Sequence, residues 1–169
     1  PVVYTNFANP ENNYQPDTQE EVYDEFFHEL DTAVTVLSDY IERMPEAAEF
    51  ARFDILLDGK YSSWIKFANS LRMRLAMRLA VVSPLKARSE FLKALDNAYG
   101  VFEYATELAS VSTGSGYSNP LGELNRVWNE TYMNASIESI MNGYGDPRRE
   151  FYFEHCTATD LKGEYRGCL

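Results

Sequence analysis

KYSSWIKFANSLRMRLAMRLAVV, Lys60 to Val82, decides how the rest of the chain is read. Trp64, Ala68, Leu71, Leu75, Leu79 and Val82 recur at three- and four-residue spacing, which puts them on one stripe of a helix, and Phe67 widens it. Met73, Met77 and Ala80 fall on roughly the opposite side. A helix that is apolar on two sides is sandwiched between other elements, so this one is expected at the centre of the fold. Ser62 or Ser63 is expected to cap its start and Pro84 to stop it. Arg72, Arg74 and Arg78 flank or interrupt the stripe, and on helical geometry Arg78 points close to the direction of Leu71. An unpaired buried guanidinium is very costly, so each must snorkel to water or meet a carboxylate. The expectation is that these arginines tie neighbouring helices together; a clamp on an anionic ligand is the alternative.

Upstream, Pro1 to Pro16 is rich in asparagine and proline without apolar period and reads as a loop. Thr18 and Glu21 form a capping box. Val22, Phe26, Leu30, Ala33/Val34, Leu37, Ile41 and Met44 then make a helical stripe that Pro45 ends. Its outer face is acidic, with Glu21, Asp24, Glu25, Asp31 and Asp39. Some of those acids are natural partners for the three arginines. Glu46 to Asp58 is a connector whose apolar run, Phe53 to Leu57, is too short to divide strand from helical turn, and Asp58-Gly59 is a turn. Downstream, Ser83 and Pro84 open a third helix with Leu85, Arg88, Phe91, Leu92, Leu95, Ala98 and Tyr99 on its inner face and Gly100 at its end. Three long helices with short connections make an antiparallel, all-α stack. No clean 34-residue repeat accompanies it.

Composition narrows the function classes. The 169 residues suffice for one domain with a core, taken here as 1–169 with a helical part, 1–100, and a loop-rich part, 101–169. A net charge of −11 argues against nucleic acid and against an anionic membrane surface as partner. No apolar run spans a bilayer. Pro1 is not a start methionine, so a missing export signal carries no information on compartment. Cys156 and Cys168 are either a disulfide or two thiols, because spacing alone does not establish Cα proximity.

Catalytic sets are missing from the sequence: there is no Walker loop, no G-x-S-x-G and no H-E-x-x-H. His28 sits on the polar flank of the first helix. His155-Cys156 with Cys168 is the one metal-like group, and it lacks ligand spacing. Twenty-six acidic residues supply many carboxylate pairs, but without a pocket these form a solvated face rather than a glycosidase site. The expectation is therefore no catalytic residue, no cofactor and no metal.

Beyond Gly100 the pattern changes. Val101 to Leu108 fits a short strand or a helical turn, VSTGSGYSNP (Val111 to Pro120) is a loop, Arg126 to Met133 has little period, and Ala135 to Met141 fits a short helix ending at Gly143. Long loops in a compact domain concentrate function, so this part is where a site is sought. A sugar needs aromatic platforms for its apolar face and amides, carboxylates or arginine for its hydroxyls. Tyr117, Asn119, Trp128, Asn129, Tyr132, Tyr144 and Arg148 supply those types. For each, plain packing is the competing explanation: Trp128 and Tyr132 as one core face, Tyr144 closing a turn, Arg148 pairing with Asp146 or an acid of the first helix.

WIKFANSLRMRLAMRLA resembles the signature helix of the SusD/RagB family, in particular its SusD-like nutrient-binding lipoprotein branch. PDTQEEVYDEFFHELDTAV at Pro16 to Val34, the Asp58-Gly59 lead-in, DPRREFYF at Asp146 to Phe153 and GEYRG at Gly163 to Gly167 resemble further family segments, in family order. The resemblance implies degenerate tetratricopeptide-like helix pairs with long inserted loops. It implies a non-enzymatic protein on the extracellular face of the outer membrane, held by a lipid anchor outside this chain. Such a protein captures an oligosaccharide or other nutrient for a SusC-like, TonB-dependent transporter. Family members are longer, so this chain looks like an internal segment. A tetratricopeptide-type scaffold gripping a protein or peptide is the alternative that the helices alone allow.

Overall fold

Thr18 opens α1 (Gln19–Arg43) with the expected capping box. Its hydroxyl accepts the Glu21 N–H at 3.2 Å while the Glu21 carboxylate accepts the Thr18 N–H at 2.7 Å. Two donors that a helix start leaves unpaired are thereby satisfied. Ahead of Pro45 the helix closes on the Met44 N–H, which donates to the Tyr40 carbonyl. In this computed structural model residues 2–7, 15–111, 118–128 and 131–167 are described. Most of the loop expected at Val111 to Pro120 lies outside them, as does Cys168; Cys156 is a free thiol. The chain divides into two units, Pro1–Ser112 and Thr113–Leu169.

In the first unit, buried Asp54 builds the entry to the central helix. Its carboxylate accepts N–H bonds from Leu56 (2.9 Å), Leu57 (3.2 Å) and Gly59 (2.8 Å) and from the Trp64 indole (2.7 Å). Burial pushes this carboxyl up, and the four donors outweigh it and hold it below the usual carboxylate range. The apolar run at Phe53 to Leu57 is thus a series of turns, neither strand nor helix. Asp58 and Gly59 follow with φ of 55° and 69°, which reverses the chain as the turn signal predicts. A Cβ on Gly59 would lie 2.3 Å from Ala51 Cα, so only glycine fits there.

α2 (Tyr61–Arg78) is shorter than its sequence pattern and has no side-chain cap. Ser62 and Ser63 fall inside its first turn rather than before it. It stops at Arg78, well ahead of Pro84, because the Leu79 and Ala80 N–H groups switch to carbonyls three residues back. The residue before a proline must also leave the helical region, and Ser83 does, at φ −145°. Pro84 then takes the first position of α3 (Pro84–Leu95), with no side-chain cap from Ser83. α3 ends at Leu95, and Gly100, at φ 71°, lies beyond it rather than at its cap.

α2 packs between α1 and α3, as its two-sided apolar pattern predicts. Tyr40 near the end of α1 meets Tyr61 at the start of α2 at 5.1 Å, while Asp24 near the start of α1 pairs with Lys86, beyond the far end of α2. The two helices are antiparallel, and so are α2 and α3: the Asn69 amide donates to the Gly100 carbonyl past the end of α3, at 2.8 Å. This is an all-α fold of tetratricopeptide-like pairs. Among the described residues no β-strand occurs, and Val2 and Asp17 form an isolated bridge.

The buried face of α2 is rotated by about one residue from the expected stripe. Ile65, Ala68, Asn69, Arg72 and Ala76 are buried, whereas Leu71 is at the edge of exposure and Val82 stands in solvent. α3 does the same, burying Ala87 and Ala94 and leaving Leu85, Leu92 and Leu95 exposed. Alanines let helix backbones approach closely, and the polar residues between them are paired. Arg72, 2% exposed, bonds Asp31 of α1 at 2.6 Å and Glu90 of α3, with its guanidinium 6.0 Å from the centre of the Phe27 ring. Burial pushes the Asp31 carboxyl up, and Lys93 and Arg72 overcome this and hold it low. Arg72 is therefore the tie between helices that its sequence position suggested. Arg74 and Arg78 are exposed.

Val101 to Leu108 is extended with a single turn, whose amides the Glu107 carboxylate collects from Glu103 and Tyr104 while also pairing with Lys66. Rings run through this unit in sequence Tyr40, Tyr61, Phe50, Trp64, Phe67, Phe102, each 5.1–6.5 Å from the next. Its aromatic surplus is largely spent on itself.

The second unit contains α4 (Pro120–Glu123), a π-helical turn (Leu124–Trp128), α5 (Ala135–Gly143) and α6 (Arg149–Tyr152). Asn134 caps α5 by accepting the Ser136 N–H at 2.8 Å. Met133 and Met141 are its buried apolar residues. The 163–167 segment lies along α5: the Glu138 carboxylate accepts the Gly167 N–H at 2.8 Å, and Asn142 donates to the Tyr165 carbonyl at 3.3 Å.

Candidate functional site

The sequence-predicted site residues meet different fates. Tyr117 and Asn129 lie outside the described residues. Asn119 caps α4, accepting the Leu121 N–H at 3.0 Å. Trp128 ends the π-helical turn with 65% of its surface exposed, and Tyr132 is 64% exposed. A shared core face for these two is therefore ruled out. Tyr144 caps the end of α5 and is 87% exposed. Arg148 forks onto Asp146, with Nε donating to Oδ1 at 2.9 Å, so its pairing with Asp146 is real. That guanidinium, with the Arg148 N–H, pulls the Asp146 carboxyl down to about 2. Tyr144 and Arg148 share the turn between α5 and α6. No ring contact joins Trp128, Tyr132 and Tyr144 among the described residues.

A polar cleft of about 450 Å³ opens elsewhere in this unit. Its wall includes Asn142 of α5, Arg149 and Glu150 of α6, and His155, Glu164 and Arg166. Tyr165 forms its ring. The Arg149 guanidinium sits 4.4 Å from the Tyr165 centroid and the His155 ring 4.3 Å from it. Both groups pack against the Tyr165 ring and take up part of its surface. Arg149 also donates to Asn142 at 2.7 Å, while its Nε is buried without an acceptor among the described residues. Arg166 is held by Glu164 at 2.8 Å and Glu138 at 3.3 Å, and that pairing raises its pKa further above its ordinary value. Glu150 makes no hydrogen bond or ion pair among the described residues.

Sequence reasoning missed this cleft. Apart from Asn142 and His155, its parts stand in DPRREFYF and GEYRG, which carry charge and rings in both. The return of the chain that brings them together is a backbone event: the Cys156 N–H donates to the Glu164 carbonyl at 2.8 Å and the Gly163 N–H to the Cys156 carbonyl at 3.2 Å. A smaller cleft of about 310 Å³ lies in the first unit between the start of α1 and the α2–α3 turn, where Lys86 is already paired with Asp24. Among the described residues no group of three histidines, cysteines or carboxylates is arranged to hold a metal ion. No helix among them is long and apolar enough to cross a membrane.

The family described as SusD-like, Susd and RagB outer membrane lipoprotein, matches residues 1–169. A SusD homolog from Bacteroides vulgatus is similar at 44% identity and a TM-score of 0.85, over 97% of this chain and 32% of that one. A chitin-binding SusD homolog from Flavobacterium johnsoniae is similar at 37% identity and a TM-score of 0.82, over 100% of this chain and 35% of that one. A SusD-like protein from Bacteroides thetaiotaomicron is similar at 32% identity and a TM-score of 0.81, over 98% of this chain and 34% of that one. The chain thus spans about a third of the length of these solved relatives. No curated protein matches it.

Proposed function

This chain belongs to the SusD-like family of outer membrane lipoproteins, and on that premise we propose that it captures a glycan at the cell surface for import. It acts without catalysis, on the extracellular face, as part of a lipid-anchored protein that serves a SusC-like, TonB-dependent transporter. The observation that carries this reading is the match over the whole chain, joined to a relative 37% identical that binds chitin. The exposed rings of Trp128, Tyr132 and Tyr144 support it, because a ring left in water by the fold is available to the apolar face of a pyranose.

The test is calorimetric titration of the full-length gene product against oligosaccharides, chitooligosaccharides among them, with a peptide panel beside it. Heat with one sugar class, lost in Trp128→Ala or Tyr132→Ala, is the expected result. A response to peptides with silence across the sugars overturns glycan capture and favours the helical-scaffold reading.

A further inference from the structure

We propose that the cleft between α6 and the 163–167 segment is a subsite for a neutral saccharide, which its wall holds by the hydroxyl edge. This rests on the glycan-capture reading and deepens it to a place and a ligand charge. Four features of the wall carry it.

The first is charge. In a chain of net charge −11, the cleft wall holds two cations, Arg149 and Arg166, and two anions, Glu150 and Glu164. Balanced charge selects neither an anion nor a cation. The second is polarity. The lining has no aliphatic side chain, and its one phenol ring packs against Arg149 and His155, so an apolar ligand finds little surface there. The third is the shape of the hydrogen-bonding groups. Carboxylate and guanidinium groups are planar forks that pair with two neighbouring hydroxyls at once, while the Asn142 amide is spent on Arg149 and the Tyr165 carbonyl. The fold supports those forks from behind: Arg166 rests on Glu138, and Arg149 is fixed by Asn142 and Tyr165. The fourth is size, since about 450 Å³ falls within the range of roughly 300–1,000 Å³ that small-ligand sites occupy. Glu150 is the free group of the wall, an exposed carboxylate on α6 that the described residues leave unbonded.

Glu150 therefore gives the cleanest test, because its replacement breaks no side-chain bond among the described residues. The full-length gene product, its Glu150→Ala variant and its Glu150→Lys variant are titrated calorimetrically with neutral oligosaccharides and with an oligouronate, and circular dichroism melts check that both variants fold. Loss of a charged hydrogen-bonding partner is expected to weaken neutral-glycan binding about tenfold in Glu150→Ala. Glu150→Lys is expected to weaken it at least as much and to add salt-sensitive oligouronate binding, because the wall then carries net positive charge. Neutral-glycan binding unchanged in both variants overturns this subsite and leaves glycan capture standing. A wild-type preference for the oligouronate overturns the neutral assignment alone. Silence of the wild type toward every glycan overturns both.

Discussion

The two units solve the same problem, holding helices in place, with opposite materials. Pro1–Ser112 buries its polar residues and pairs them: Arg72 reaches α1 and α3 at once, Asn69 reaches the Gly100 carbonyl, and Asp54 collects four donors. Most of its rings face one another, while Phe7, Phe53 and Tyr104 stand exposed. Thr113–Leu169 buries two methionines among its described residues, keeps its ion pairs at the surface and leaves Trp128, Tyr132, Tyr144, Phe151 and Tyr152 largely in water. A buried polar tie has one satisfactory geometry and so fixes helix positions. An exposed ring costs the unfolded chain nothing to leave exposed, and it remains available to a partner. The contrast separates a part that specifies structure from a part that offers surface.

Breaking the first unit at its centre should give the largest effect. Arg72→Ala leaves Glu90 and partly exposed Asp31, which keeps Lys93, beside a void where a guanidinium was, and the loss approaches at most the roughly 3–5 kcal/mol of a fully buried pair. The check is the urea midpoint, and a change no larger than that of an exposed arginine such as Arg74 would dissolve the contrast between the units. Next comes Gly59→Ala. Holding a non-glycine residue at positive φ costs about 1–3 kcal/mol, and the new Cβ also collides with the Ala51 backbone. Thermal unfolding should register a lower Tm; an unchanged one would mean that the Asp54 turn yields and does not fix the entry to α2.

The smallest expected effect is on pH, and it treats both units alike. Lys66 bonds the Glu107 carboxylate and, with the Glu103 and Tyr104 N–H groups, draws it down to about 2 from an ordinary 4.5. Arg148 draws Asp146 down to about 2 from 3.8. Both folded values lie below the unfolded ones. Each contribution is therefore present above the ordinary carboxylate range and lost as pH falls through about 2. Urea midpoints should be flat near neutral pH and fall in that acid window. Glu107→Gln should flatten part of the slope and Asp146→Asn another part; a slope insensitive to both would place the acid sensitivity in other carboxylates.

Much of the first unit is legible in the residues. Thr18 and Glu21 mark a helix start because a capping box is local chemistry, with both partners within one turn. Asp58-Gly59 marks a turn because positive φ is a local steric property. The two-sided apolar pattern places α2 in the middle. What periodicity mistakes is which residues touch. It weighs side chains by their apolar character and so points to Leu71, Leu75 and Leu79 along with Ala68, while the buried face holds Ile65, Ala68 and Ala76 with paired Asn69 and Arg72. The candidate site is harder to read. Exposure of Trp128 and Tyr132 depends on what does not pack against them, and a sequence of mixed apolar and polar residues does not carry that information.

The sequence by itself determined the three long helices, the Thr18–Glu21 cap, the Asp58-Gly59 turn, the antiparallel order and the family, because each depends on neighbours a few residues apart or on an ordered run of motifs. Tertiary structure alone decided which arginine is buried, that one guanidinium serves two helices, and that DPRREFYF and GEYRG face each other across a charge-balanced cleft. Those outcomes depend on distances between residues 18 to 41 positions apart for Arg72 and on a backbone return at Cys156 and Gly163 for the cleft. Such distances arise when a chain closes on itself, and no local propensity encodes them.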